Sequence, residues 1–191
     1  QIYKTTFYNN TSKMSGGALR ICNINILLIK KCDFTKNRGV FQGAVSVETK
    51  STNVAIQVTK TTFYNNTAQE SGGAFIVTHN VVVVIIQKCN FARNQAKSGG
   101  AVSISRSKLI QHVGKHFISW VGAHLIYGKK FILHETIFTN NLAHCEGGAV
   151  NIYSISHWSK TTMKQSVAII IKECYFIQNK AKYGGAVMIY K

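Results

Sequence analysis

Carboxylates are the scarcest chemical resource of this chain: Asp33, Glu48, Glu70, Glu135, Glu146 and Glu173 face 23 lysines and arginines. Glycoside cleavage normally takes two carboxyl groups about 5 to 9.5 Å apart. Glu135 and Glu173 are the one pair with a reason to meet, because each stands three residues before a Phe in a recurring motif. Lys4, Lys31, Lys60 and Lys88 hold that same position earlier in the chain, so the pair also reads as the end of an outward charge stripe. Like charges stacked across neighbouring strands repel. A column of four lysines therefore costs stability and suggests a face for a polyanion.

Other reactive residue types give weaker signals. Cys145 follows His144, but neighbours along a strand point to opposite faces, which disfavours a Cys-His nucleophile. His112 and His116 are spaced for one face of a helix, yet no carboxylate or Cys accompanies them, so neither a metal nor any other cofactor is expected. Both tryptophans, Trp120 and Trp158, lie in longer segments that also carry Lys115, His116, His124, His157, Lys160 and Lys164. Aromatic and basic residues on loops are a usual composition for recognition, while packing of each Trp onto its own loop is the competing reading.

The elements that position these residues are set by a repeat. Phe-x-x-Asn occurs as Phe7/Asn10, Phe34/Asn37, Phe63/Asn66, Phe91/Asn94, Phe138/Asn141 and Phe176/Asn179, with successive Phe spacings of 27, 29, 28, 47 and 38. Nine or ten residues after each Phe comes Gly-Ala, preceded by a second Gly except at Gln42-Gly43-Ala44. Two residues before the Phe, Thr5, Cys32, Thr61, Cys89, Thr136 and Cys174 alternate, which indicates a duplicated two-coil unit of about 56 residues.

Around each Phe, apolar and polar residues alternate as in a half-buried strand; a second alternating stretch follows Gly-Ala, and a third includes Ile24 to Ile29 and Val81 to Ile86. Short strands of this kind bury their apolar faces only by stacking coil on coil, and crossover handedness favours a right-handed coil. The expected fold is all-β: a right-handed single-stranded parallel β-helix (solenoid) of about six coils of three short strands. It forms one domain over 1–191, with insertions near 106–125 and 156–165 at one corner of adjacent coils. Asn10, Asn37, Asn66, Asn94, Asn141 and Asn179 are expected to form a buried ladder and to accept the left-handed backbone conformation. Cys32, Cys89 and Cys174 are expected to be free inward thiols, because equivalent α-carbons two coils apart stand about 9.6 Å from each other. Cys22 and Cys145 lie about four coils apart, which also argues against a bridge.

These paired Phe-x-x-Asn and Gly-Gly-Ala-(Val/Leu/Ile) repeats resemble those of chlamydial polymorphic outer-membrane proteins and related β-helix surface proteins. The resemblance implies a surface-exposed or secreted passenger linked to adhesion, and no catalytic residues.

The net charge of +17 points to anionic polymers or surfaces as partners, without a signal for specific nucleic-acid binding. The longest apolar run, Val81 to Ile86, is far shorter than the roughly 20 residues of a spanning helix. The chain opens inside a repeat, so a piece of a longer protein is expected, with further coils as partners at both open ends. Asn9 and Asn65 stand in Asn-Asn-Thr sequons at turns, and Asn10 in a third. The leading expectation is a non-enzymatic extracellular or cell-surface module for adhesion or glycan/polyanion recognition. The alternatives are a polysaccharide-active β-helix lyase or hydrolase, or a degenerate relative, and a structural spacer.

Overall fold

A computed structural model describes residues 1–105, 130–153 and 168–190. Among these residues every strand pairing is parallel, and the strands stack in register as a parallel β-helix. Three sheets run along it. The first has six strands centred on the repeated Phe, among them Thr6–Tyr8, Thr62–Tyr64 and Tyr175–Ile177. The second has five short strands just after the Asn, from Thr11–Ser12 to Leu142–Glu146. The third has ten strands and holds both apolar stretches that follow Gly-Ala.

This divides the coil differently from the sequence expectation. The second and third apolar stretches share one sheet, and in two coils they run together as Val45–Thr59 and Phe75–Gln87. In the first coil Asn23, at φ 54°, separates Leu19–Cys22 from Ile26–Lys30. The later two coils continue through as single strands, with register shifts between His79 and Val83.

Phe7, Phe34, Phe63, Phe91, Phe138 and Phe176 stack face on face, with centroids 4.6 to 5.0 Å apart and planes within 8° of parallel. That spacing is the interstrand distance, so the ring column follows directly from parallel pairing in register. Val45, Val47, Phe75, Val77, Val102, Val150 and Ile152 close the core from the third sheet.

Beside the rings runs the asparagine ladder. Asn94 is fully satisfied: its Nδ2 donates to Phe63 O at 3.0 Å and Asn141 Oδ1 at 3.1 Å, while its Oδ1 accepts from Asn66 N at 2.9 Å and Asn66 Nδ2 at 3.0 Å. The four central members are buried. Two expectations need correction here. Asn10 is exposed, since among the described residues no coil lies above it. The left-handed conformation belongs to the residue before each ladder Asn (Asn9, Lys36, Asn65, Arg93, Asn140 and Gln178, φ 53° to 57°), which leaves the Asn side chain free to point inward.

The Gly-Gly corner meets two separate demands. Gly99 has φ +60°, and a Cβ on Gly100 would lie 2.3 Å from the Gly148 carbonyl oxygen of the next coil. All five cysteines are free; Cys32 and Cys89 are buried, and Cys174, in the last described coil, is partly covered. The Thr/Cys alternation has a common purpose, because every member donates to the carbonyl two residues back. Thr61 Oγ1 reaches Thr59 O at 3.0 Å, and Cys89 Sγ reaches Gln87 O at 3.2 Å. Burial pushes the Cys89 thiol up to about 12.

Candidate functional site

Those carbonyls flank the corner where the third sheet turns into the Phe sheet. Lys4, Lys31, Lys60, Lys88, Glu135 and Glu173 all sit at this corner in the left-handed region, with φ between 47° and 56°. The backbone N–H of each of the first five donates to the next coil, as in Lys60 N to Gln87 O at 3.0 Å, so the six residues form one column along the helix. Only Gly, and sometimes Asn or Asp, adopts this conformation routinely; other residues pay roughly 1–2 kcal/mol. Four lysines and two glutamates thus stand where the backbone disfavours them, and the lysines place like charges at neighbouring positions of the column.

The column divides by what its members touch. The Lys4 and Lys31 ammonium groups lie over the Tyr3 ring, 5.3 and 5.9 Å from its centroid. Lys88 pairs with Glu135 at 3.3 Å. Among the described residues, no ion pair engages Lys60 or its diagonal neighbour Lys30. Between them lies a depression of about 220 Å³ lined by Lys30, Gln57, Thr59, Lys60, Gln87 and Lys88.

Glu135 and Glu173 do converge as their shared repeat position implies, with His134 as the intermediary. His134 Nε2 donates to Glu173 Oε2 at 3.0 Å, while Nδ1 faces Gln87 Nε2 at 3.1 Å and Glu135 Oε1 at 3.5 Å. One ligand atom from each of the three lies within 4.8 Å of the others, close enough to hold a cation. Two ammonium groups contest that role, Lys88 on Glu135 and Lys172 on Glu173 at 3.3 Å each. The hydrogen bond from Lys172, then that from His134, hold the Glu173 carboxyl below the usual range. A general acid for glycoside cleavage needs the opposite shift.

Sequence reasoning missed His134, Lys30, Gln57 and Gln87. The register column Lys30, Thr59, Gln87, His134, Lys172 changes residue type at every coil, so no repeat signal marks it. His144, whose pairing with Cys145 the strand alternation disfavours, meets Gln95 at 3.0 Å. Trp120, Trp158, Lys115, His116, Lys160, His112 and both insertions lie outside the described residues.

Three stretches of the chain start at the corner residue: 4–21, 60–75 and 135–153. They match the Chlamydia polymorphic membrane protein repeat. All three are Thr coils, and each runs from the corner through Phe-x-x-Asn to the strand after Gly-Gly-Ala. The polymorphic membrane protein repeat therefore coincides with the ring column, the asparagine ladder and the glycine corner. No curated protein and no solved structure matches the chain.

Proposed function

We propose that this β-helix is a non-enzymatic module displayed at a cell surface, where it binds anionic glycans through the lysine corner and so contributes to adhesion. The polymorphic membrane protein repeat supports the surface or outer-membrane setting. The observation that carries the binding role is the column Lys4, Lys31, Lys60, Lys88, kept in register against both backbone strain and charge repulsion.

An outward strip of Leu28, Gln57, Ile85, Ile132 and Ile170 runs beside that corner, two residues back along each strand from the Lys30 column and on the same face. Sugars suit such a surface, because a pyranose presents an apolar C–H face together with its charged substituents. The insertion residues Trp120, Trp158, Lys115, His116 and Lys160 are proposed, on composition, as an accessory contact.

Binding to neutral, carboxylated and sulfated glycans at low and high salt tests the reading. The parent is compared with a variant carrying Lys4→Gln, Lys31→Gln, Lys60→Gln and Lys88→Gln, and with Trp120→Ala plus Trp158→Ala. Salt-sensitive binding to anionic glycans that the lysine variant loses is the expected result. Undiminished binding by that variant refutes the corner, and loss confined to the tryptophan variant relocates the site to the insertions.

A further inference from the structure

The lysine corner holds more than a diffuse field. We propose that the depression between Lys30, Lys60 and Lys88 is a socket for a single sulfate or phosphate monoester group, a deepening that rests on the polyanion reading above. Three successive coils each contribute one lysine to its lining, and Gln57, Thr59 and Gln87 complete it. A tetrahedral monoester has three free oxygens, one for each cation; a carboxylate has only two. The volume of about 220 Å³ corresponds to about seven waters at roughly 30 Å³ each, room for the oxyanion and part of its hydration shell.

The partners of the other corner lysines single this place out. Lys4 and Lys31 cover the Tyr3 ring, and farther along the column the sign reverses at Glu135 and Glu173. Lys88 is held by Glu135 at 3.3 Å, which fixes one side of the rim, while Lys30 and Lys60 have no ion pair among the described residues. An anion in the socket is bordered by three lysines, one of them already paired with Glu135, whereas farther along the column the carboxylates of Glu135 and Glu173 oppose it.

Two double variants with equal loss of charge decide the matter. Lys30→Met plus Lys60→Met empties the socket, and Lys4→Met plus Lys31→Met removes the ring-bound pair; methionine keeps an unbranched side chain at the left-handed positions. Each is titrated with a sulfated hexasaccharide, its desulfated counterpart, and vesicles bearing a phosphate-monoester headgroup, after thermal melting shows a folded chain. The expected result is at least a tenfold loss of affinity for the sulfated sugar in the socket variant and under threefold in the ring-pair variant. Equal losses overturn the socket while leaving the polyanion reading intact. A parent that binds none of the probes overturns both. Vesicle binding with the same lysine dependence but no sugar binding supports the socket and overturns the glycan assignment.

Discussion

Replacing Lys60 with glycine should stabilise the protein. Lys60 sits at φ 50°, where a side chain costs roughly 1–2 kcal/mol that glycine does not incur. Against that gain stands the larger conformational freedom of glycine in the unfolded chain, about 0.5–1 kcal/mol. No ion pair among the described residues is lost, and the backbone bond from residue 60 to Gln87 O is retained. Relief of repulsion from Lys88 adds in the same direction. The net expectation is a gain of about 0.5–1.5 kcal/mol, and each 1 kcal/mol moves Tm by roughly 2–4 °C in a chain of this size. Lys60→Val is the control, since a branched Cβ tolerates the left-handed region worst, and it should lose on the order of 1 kcal/mol. Thermal and urea unfolding of parent, glycine and valine forms are the assays. A glycine form less stable than the parent, or a valine form equal to it, would refute the argument that the corner strains its lysines.

Asn94→Ala removes a side chain that makes four hydrogen bonds and leaves Phe63 O and the Asn66 and Asn141 amides short of partners in a buried column; a loss of at least about 3 kcal/mol in urea unfolding is expected. Gly100→Ala drives a Cβ to 2.3 Å from the Gly148 oxygen, so Tm should fall by several degrees, whereas a change at exposed Lys182 should leave it unmoved. Cys89→Thr keeps the hydroxyl-like donor to Gln87 O and should change stability by less than about 1 kcal/mol. In the parent, a thiol reagent at pH 8 should label exposed Cys22 first and leave Cys89 unmodified until the chain unfolds. The raised folded pKa of Cys89 also fixes a sign. Its contribution is complete below the ordinary value of 9.0 and fades as pH rises toward about 12, so alkaline unfolding should begin later in Cys89→Thr.

Much of the fold could be read from the chain because its devices occupy fixed repeat positions. The Phe column, the Asn ladder and the Gly corner each recur in every coil or nearly so, and a recurring position must stack on itself. What escaped was either too short or too variable. The sheet containing Thr67–Ala68 has strands of two residues in several coils, below the length at which alternation becomes a signal. The left-handed corner at Lys31 or Lys60 carries no Gly or Asn to announce it. Of the candidate site, the lysine column was legible from its spacing. Its division into ring-bound, carboxylate-bound and uncommitted members depends on Tyr3, Glu135 and Lys30, whose side-chain positions follow from packing.

The most direct test is to observe the lysine ammonium groups by ¹⁵N-resolved NMR while a sulfated oligosaccharide is titrated in. Perturbation centred on Lys30, Lys60 and Lys88, with Lys97 and Lys182 unmoved, is the expected result. Shifts spread evenly over the basic residues, or centred away from the corner, would contradict the assignment of recognition to it.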